Sequence, residues 1–291
     1  MCCPSPARLG RPIDWRLILL NKALLEFLGQ YRGSGVCLAF SGGVDSALLL
    51  ALLAREKIPV TALTFQTVLH PAGDMACAAA LAAEYRIPHR IIQVDELANE
   101  KVLANPPDRC YYCKRQLFET LAAAAEKEGL GVPMDGTNAG DLLEYRPGLR
   151  ALSELGVVSP LAVCGIYKKE VRQMAAELGL KTASKPASPC MATRLPYGER
   201  ITPEKLARIE AGEAFLKGLG FPVCRLRSQG DLCRIEVPRT EIPQAAALHA
   251  KLSEGLAALG FAFVTLDMKG FRSGSYDQAA GLTARTLKKG L

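Results

Sequence analysis

The sequence lacks the features that mark membrane, secreted and RNA-binding proteins. The apolar stretch 17–28 is interrupted by Asn21, Lys22 and Glu26, which predicts an amphipathic helix rather than a membrane span or a signal peptide. No secretory signal precedes the ten cysteines, and their irregular spacing does not suit a disulfide scaffold. Aromatic residues make up only 6% of the chain, and it has no long run of one charge. We therefore expect a cytoplasmic protein with reduced cysteines, no membrane partner and no nucleic-acid partner.

The length and charge set limits on the domains and ligands. The 291 residues exceed one average domain, and 49% of them are hydrophobic, which is enough to bury a large core. Lys and Arg number 36 against 29 Asp and Glu, and the net charge of +7 favours anionic ligands such as ATP. The basic pair Lys288 and Lys289 is too short for a nucleic-acid-binding arm. We expect two domains.

Strand-like and helix-like segments alternate through residues 1–183. Strands are predicted at 36–40, 60–67, 89–95 and 132–136, and helices at 44–55, 72–85, 110–128 and 167–178. Alternation at this spacing predicts an α/β fold with a doubly wound, mostly parallel sheet that carries helices on both faces. We expect residues 1–183 to form a Rossmann-like nucleotide-binding domain.

The periodic pattern fails between residues 181 and 203. The segment contains four helix- and strand-breaking residues, Pro186, Pro189, Pro196 and Gly198. We interpret residues 184–202 as an active-site loop or linker, and residues 203–291 as a smaller α+β domain. Its predicted elements are a helix at 203–219, strands at 222–227 and 232–237 joined by a turn at 228–231, a second helix, and a strand at 262–266.

A glycine-containing loop joins the first predicted strand to the helix 44–55. Its residues are Ser41, Gly42, Gly43, Val44, Asp45 and Ser46. The glycines allow a ligand to approach the backbone, and the free N–H groups at the helix amino terminus suit a phosphate. Asp45 can lie beside a phosphate only when a cation bridges the two, which implies Mg²⁺. An ordinary turn with helix-capping residues is the alternative, but SGGVDS matches the pyrophosphate loop of the PP-loop ATPases at each position.

A second motif, GTNAGD at 136–141, follows another predicted strand and so lies at the same carboxyl edge of the sheet. It resembles the second nucleotide-contacting motif of PP-loop enzymes, and this resemblance assigns Gly136, Thr137 and Asn138 to ATP binding. The lysine and spacing of a Walker A loop are absent. In the families that the loop resembles, it holds the β and γ phosphates together, so ATP yields an adenylate and pyrophosphate.

Three cysteines are candidates for chemistry. Cys110 and Cys113 lie three residues apart at a predicted helix start, which places both sulfurs on one face. Cys190 lies in the irregular segment, where we expect Lys185 and Arg194 to lower its pKa and favour the thiolate. Five further cysteines are interpreted as small structural residues: Cys37, Cys77, Cys164, Cys224 and Cys233.

The candidate cysteines suit an iron–sulfur cluster better than zinc. Structural zinc usually takes four protein ligands, but no second CxxC follows, and His70, His89 and His249 are scattered. Three cysteines without a fourth suit a [4Fe–4S] cluster that leaves one iron open to a substrate or a sulfide. The residues alone leave Cys190 either a cluster ligand or a nucleophile.

Taken in order, the motifs resemble those of the LarE family of ATP-dependent sulfur transferases over nearly the whole chain. They are SGGVDS, RCYYCK, GTNAGD, YRPGLRA, SPCMATRLPYGERIT, LRSQGDLCRIEV and LDMKGFRSGS. The resemblance implies a step in the synthesis of the nickel-pincer nucleotide cofactor. A carboxylate of pyridinium-3,5-biscarboxylic acid mononucleotide is adenylated and then converted to a thiocarboxylate. It also implies a homo-oligomer, with substrate binding and oligomerisation assigned to residues 203–291.

The resemblance leaves two sulfur sources open, and both require Asp45 and Cys190 as catalytic residues. In one kind of family member, the cysteine that matches Cys190 gives up its own sulfur and becomes dehydroalanine. In another kind, a CxxC pair such as Cys110 and Cys113 joins that cysteine in holding a [4Fe–4S] cluster, and external sulfide is the donor. Because this chain has the pair, the second kind is favoured.

The resemblance also assigns a substrate-phosphate site, made of Arg194, Arg225, Arg227 and Glu213. Arg225 and Arg227 fall on one face of a predicted strand by their spacing of two. Guanidinium groups bind phosphate well. A pair of exposed strand arginines without a ligand is the alternative.

Three other functions compete with sulfur transfer to a small nucleotide. A tRNA thiolase shares ATP and the cysteines, but it should add an RNA-binding domain or a basic surface with exposed aromatics. An ammonia-dependent amide synthetase has no need of Cys190 or the CxxC pair. A non-catalytic ATP-binding module is disfavoured by the intact Asp45 and by the thiolate expected at Cys190.

Overall fold

A parallel sheet of four strands forms the centre of the first part of the chain. The computed structural model describes residues 15–70, 73–186, 189–272 and 274–282, and Lys288 and Lys289 lie outside them. The strands are β1 (Val36–Ala39), β2 (Val60–Gln66), β3 (His89–Gln93) and β4 (Val132–Met134). All pairs are parallel, in the order β3-β2-β1-β4. The chain therefore moves outward from β1 to β3 and then crosses to the other side of β1, which makes the gap between β1 and β4 the topological switch point.

Helices cover both faces of this sheet. They are α1 (Trp15–Gly29), α2 (Val44–Arg55), α3 (Gly73–Glu84), α4 (Glu100–Leu103), α5 (Arg109–Glu128), α6 (Gly148–Glu154), α7 (Pro160–Val163) and α8 (Lys168–Glu177). α1, α2, α3 and α8 share the apolar core on one face, and α5 and α6 pack on the other. The doubly wound α/β prediction is confirmed. The helices of the described ranges include none that meets the length and hydropathy of a membrane span.

The helix after the phosphate loop, α2, begins and ends at the predicted residues, 44 and 55. It starts where the extended Gly43 gives way to an apolar run, and six consecutive side chains from Leu48 to Leu53 are at most 3% exposed. A helix that is apolar on all sides must be buried on all sides, and α2 lies between the sheet and α8. This burial fixes the position of the loop at its amino terminus.

The second part of the chain has a smaller sheet with helices, as predicted. Its elements are α9 (Pro203–Gly218), β5 (Arg225–Gln229), β6 (Leu232–Glu236), α10 (Ile242–Ala247), α11 (His249–Ala257), β7 (Phe263–Leu266) and α12 (Ser275–Ala279). β5 and β6 are antiparallel, and β6 and β7 are parallel. The predicted turn 228–231 is too wide, because Ser228 and Gln229 pair with β6 and only two residues remain in the turn. The one helix predicted between the last two strands is two helices.

The two parts of the chain share one apolar core. Leu117 and Phe118 of α5 belong to the same cluster of buried residues as Ile209 of α9 and Ile235 of β6. This cluster lies on the sheet face opposite α2. The domain boundaries at 183 and 203 stay predictions.

The segment between the two parts is irregular, as its prolines predict. In its described residues, 181–186 and 189–202, regular structure is limited to two short 3₁₀ helices, Lys181–Ser184 and Met191–Arg194. Backbone hydrogen bonds tie the segment to the carboxyl edge of the sheet: Met191 N donates to Leu69 O at 2.8 Å, and Gly198 N donates to Asn105 O at 2.8 Å. The segment that carries Cys190 is therefore docked on the edge where ligands bind.

Candidate active site

The phosphate loop lies at the switch point, directly after β1. Its second residue, Gly42, has a φ of 68°, the left-handed conformation that glycine adopts without strain. Ser41 Oγ accepts the Gly43 N–H at 3.3 Å, and Ser46 Oγ donates to Gly43 O at 3.2 Å. These contacts hold the loop in a curve that leads into the first turn of α2, where backbone N–H groups have no partner within the helix.

The second predicted motif lies against the first. A Cβ on Gly136 would lie 2.9 Å from Ser46 N and 3.2 Å from Asp45 Cβ, so only glycine fits between the two loops. Asn138 Nδ2 donates to Asp45 Oδ1 at 3.3 Å, and Thr137 Oγ1 donates to Asp135 Oδ2 at 2.6 Å. The structure therefore brings together the two motifs that the sequence assigned to ATP.

Two lysines that sequence reasoning did not assign to ATP complete this loop cluster. Lys168 Nζ pairs with Asp45 Oδ2, and Lys185 Nζ donates to Gly42 O at 3.2 Å. Lys168 is the first residue of α8, and a lysine there is repelled by the positive end of the helix dipole. A lysine at a helix start is thus a signal of an anionic partner. Asp45 suits Mg²⁺, which takes one or two carboxylates together with phosphate oxygens.

The three candidate cysteines come from two segments, the start of α5 and the irregular segment. Cys110 and Cys113 lie in the first turn and a half of α5, and Cys113 Sγ donates to Glu96 Oε1 at 3.1 Å. The pKa of Cys113 is raised well above its ordinary value, mainly by burial. Glu96 and the neighbouring thiols of Cys190 and Cys110 raise it further. The thiols of Cys110 and Cys190 are therefore close enough to Cys113 to act on its charge. In the described part of the chain, however, no three His, Cys, Asp or Glu side chains are already grouped as a metal site.

The expected thiolate at Cys190 is wrong for this structure. Burial raises the pKa of Cys190 to about 11, and Arg109, not Lys185 or Arg194, is the cation that lowers it. Lys185 contacts the phosphate loop, and the guanidinium of Arg194 contacts the backbone carbonyl of Cys190 at 3.1 Å. Removal of the thiol from water outweighs the attraction of one nearby cation.

An ion pair connects the thiols to the nucleotide motifs. Lys114, the residue after Cys113, places its Nζ 3.7 Å from Asp135 Oδ2. Asp135 follows β4 and accepts hydrogen bonds from the second ATP motif and from Ser159 Oγ at 2.6 Å. The start of α5 is thereby held against the switch point, and both sets of candidate residues lie at one edge of the sheet.

The four residues assigned to a substrate phosphate also lie together. Arg194 makes a two-pronged ion pair with Glu213, with N–O distances of 2.9 and 3.1 Å. Arg227 pairs with Glu236 at 2.8 Å, and Arg225 lies over the ring of Phe271. Burial and the nearby Arg194 lower the pKa of Arg225. In this structure the guanidinium groups of Arg194 and Arg227 contact carboxylates, and Glu236 is the member that sequence reasoning missed.

The remaining cysteines divide into two groups. Cys37, Cys224 and Cys233 are fully buried, as their structural interpretation predicts. Cys77 and Cys164 are only partly buried, so the same interpretation is wrong in placing them inside. All the described cysteines are free thiols.

A glycine loop and a second loop lie at the switch point of a parallel sheet, with Lys168 on Asp45 and Lys185 on the loop backbone. These features define a nucleotide-binding enzyme of the PP-loop class. Residues 32–120 match the asparagine synthase family. The chain is 37% identical to pyridinium-3,5-bisthiocarboxylic acid mononucleotide synthase of Lactiplantibacillus plantarum, over 82% of this chain and 87% of that protein. The chain belongs to the LarE family of ATP-dependent sulfur transferases.

Two further relatives place the chain within the superfamily. It is 40% identical to an uncharacterized protein of Synechocystis, over 87% of this chain and 97% of that protein. A tRNA-specific 2-thiouridylase of Azorhizobium caulinodans is 33% identical, over 62% of this chain and 55% of that protein. The tRNA enzyme is thus a distant relative that shares only part of the chain.

Proposed function

We propose that the protein adenylates a carboxylate of pyridinium-3,5-biscarboxylic acid mononucleotide and converts it to a thiocarboxylate, a step towards the nickel-pincer nucleotide cofactor. One observation carries the proposal: the loops assigned to ATP and the CxxC pair lie at one edge of one sheet, joined through Lys114 and Asp135, and the Cys190 segment is docked on the same edge. The name of the Lactiplantibacillus relative specifies the bisthiocarboxylic product.

In the first step, a carboxylate oxygen of the substrate attacks the α phosphorus of ATP. The bond to the bridging oxygen breaks, and pyrophosphate leaves from the loop of Ser41 to Ser46 with that electron pair. Asp45 would hold Mg²⁺, which when bound offsets the charge of the phosphates. For this, Lys168 must release Asp45, and its Nζ is then available to the same phosphates. The product is an acyl adenylate, whose AMP is a far better leaving group than oxide.

In the second step, a sulfur anion attacks the adenylated carbonyl. The C–S bond forms, the bond from carbon to the AMP oxygen breaks, and AMP leaves with the electron pair. When hydrosulfide is the donor, the S–H proton passes to solvent and the thiocarboxylate is complete. When Cys190 is the donor, its thioester eliminates: the Cα proton goes to a base, its electron pair forms the Cα=Cβ bond, and the thiocarboxylate leaves. Residue 190 is then dehydroalanine.

Cys110, Cys113 and Cys190 would hold the [4Fe–4S] cluster that the resemblance implies. Their residue type fits it, since three thiolates leave one iron open, and their thiols are close enough to interact electrostatically. When bound, the cluster offers that iron to a sulfide. Glu96 accepts the Leu69 N–H at 3.3 Å and so holds the loop on which the Cys190 segment is docked, while its contact with the Cys113 thiol would be lost when that sulfur binds iron as a thiolate.

The arginine group would receive the phosphate of the substrate nucleotide. Arg194, Arg225 and Arg227 are three cations near two carboxylates, Glu213 and Glu236, so the group has a net positive charge. A phosphate would replace a carboxylate on one guanidinium. A homo-oligomer, a cytoplasmic location and the division at 183 and 203 stay predictions that accompany this proposal.

The proposal is tested with protein purified without oxygen, by following pyrophosphate release and product mass with the pyridinium dicarboxylate nucleotide and ATP. Release of pyrophosphate that depends on this substrate, with a thiocarboxylate product, supports it. Activity on tRNA instead would support the thiolase alternative, and ATP binding without pyrophosphate release would support a non-catalytic module. Iron and acid-labile sulfide near four per chain, lost in Cys110→Ala, support the cluster, whereas conversion of Cys190 to dehydroalanine in metal-free protein supports sacrificial transfer.

A further inference from the structure

Arg109 is a buried cation that faces the thiols. Arg109 is only 3% exposed, and its Nη2 lies 3.6 Å from Cys110 Sγ. Asn105, which contacts the same guanidinium, donates from Nδ2 to the carbonyl of Pro196 in the Cys190 segment at 2.8 Å. Arg109 thus lies where the CxxC pair and the Cys190 segment meet.

The charge of Arg109 lacks a carboxylate among the described residues. Three arginines of the described ranges are buried, and the other two, Arg194 and Arg227, each pair with a glutamate at 2.8 to 2.9 Å. The described contacts of the Arg109 side chain are with Asn105 Oδ1 and with the Cys110 sulfur. A buried guanidinium without an anion is strongly unfavourable, so a fold that keeps one holds a place for an anion.

The orientation of the guanidinium is fixed before any anion arrives. Nη1 donates to Asn105 Oδ1, and Asn105, itself fully buried, donates from Nδ2 to Pro196 O at 2.8 Å. The second terminal nitrogen, Nη2, then points at the Cys110 sulfur. Donors that are fixed and desolvated before reaction bind a negative charge without reorganisation.

We propose that Arg109 binds the sulfur anion that attacks the adenylate, either hydrosulfide or the Cys190 sulfur itself. This assignment rests on the proposed function. The surroundings favour sulfur over phosphate, because the guanidinium contacts the Cys110 sulfur and is held through Asn105 to the Cys190 segment, while the arginine group at Arg225 and Arg227 lies on a separate strand. Arg109 stabilises the negative charge until the new C–S bond forms and AMP leaves with its electron pair.

The test compares Arg109→Met with Arg109→Lys, and uses Arg115→Met, an arginine of the same helix with a half-exposed side chain, as the matched control. Thermal unfolding is measured without ATP, in sodium sulfide and in sodium chloride of equal ionic strength, with a thiol reductant throughout. We expect sulfide to raise the Tm of the wild type, of Arg109→Lys and of Arg115→Met, and to leave the Tm of Arg109→Met unchanged. That result identifies hydrosulfide as the bound anion.

A second arm identifies the internal source. If sulfide leaves the wild-type Tm unchanged, we expect Arg109→Met to slow the formation of dehydroalanine at Cys190 at least 10-fold, with pyrophosphate release retained. Arg109→Met that transfers sulfur at the wild-type rate, or that gains the same Tm from sulfide as the wild type, overturns the assignment. Loss of pyrophosphate release from the wild type would instead overturn the proposed function, and the sulfide-dependent Tm would still report on the anion site.

Discussion

Arg194 and Glu213 form a two-pronged ion pair in which both side chains are less than one-tenth exposed. Glu213 Oε1 also accepts the backbone N–H of Leu226 at 3.2 Å, and Arg194 Nη1 donates to the carbonyl of Pro189 at 2.8 Å. The pair therefore joins the Cys190 segment to α9 and β5. It acts as a buried cross-link between the two parts of the chain.

Glu213→Ala is expected to lower the free energy of unfolding by about 3–5 kcal/mol, because it leaves the Arg194 guanidinium buried without an anion. Urea unfolding measures the change. Glu100→Ala is the matched control, since it removes an exposed pair with Arg200 and should leave stability almost unchanged. A similar decrease in the free energy of unfolding in both variants would show that the buried Arg194–Glu213 pair is no more costly to break than the exposed one.

Lys168→Ala is expected to lower kcat/KM for ATP about 10- to 100-fold, which corresponds to the free energy of one hydrogen bond to a charged group. The reason is that Lys168 pairs with Asp45 and is the cation placed to meet the phosphates. Pyrophosphate release at varied ATP provides the measurement. Lys169→Ala, which changes the exposed neighbour, should behave as the wild type, and equal effects of the two variants would point to net charge alone.

Gly136→Ala is expected to abolish most ATP-dependent activity without unfolding the protein. The added methyl group would lie 2.9 Å from Ser46 N, so the two loops at the switch point must separate. Calorimetry measures whether the variant still binds ATP, and the Tm measures whether it stays folded. Gly218→Ala is the control, because its methyl group meets no atom within 4 Å, and the last turn of α9 should accept it with unchanged activity.

Stability is expected to fall between about pH 9 and pH 11. Burial raises the pKa of Cys37, Cys224 and Cys233 to about 11, above the ordinary value near 9. In this window the unfolded chain loses thiol protons that the folded chain keeps, so each thiol contributes stability below pH 9 that is lost as pH rises through 11. The loss is at most about 2–3 kcal/mol for each thiol.

The free energy of unfolding at pH 8 and pH 10.5 measures this dependence. Cys37→Ala should show a smaller decrease than the wild type, whereas Cys77→Ala, at a partly exposed position, should show the same decrease as the wild type. An unchanged decrease in Cys37→Ala would show that this thiol ionises in the folded protein as easily as in the unfolded chain.

The fold was predictable where local pattern and burial agree. The strands and helices of the sheet follow from apolar runs and periodicity, and α2 begins and ends at the predicted residues. The turn before β6 was misplaced because Ser228 and Gln229 are typical turn residues that here continue the ladder of β5. Tertiary pairing overrode their local preference.

The candidate site was predictable as a set of motifs but not as a set of partners. Residue types and spacing identified the phosphate loop and the three cysteines, because both are contiguous signals. The charges that face them come from other segments: Lys168 for Asp45, and Arg109 for Cys190. Lys185 and Arg194 are near Cys190 in sequence, yet their charged ends contact other atoms. Proximity along the chain does not determine which charge faces a thiol.

The apolar cluster that runs from α5 through α9 to β6 crosses the boundary between the two parts of the chain, so a cut at that boundary would divide the core. A fragment that ends before α9 would expose the buried leucine and phenylalanine side chains of α5 to water. A fragment that begins at α9 would lose the α5 side chains against which its own apolar residues pack. The part of the chain from α9 to β7 is therefore not an exchangeable module. Grafting it onto another nucleotide-binding scaffold would require rebuilding the face of α5 as well.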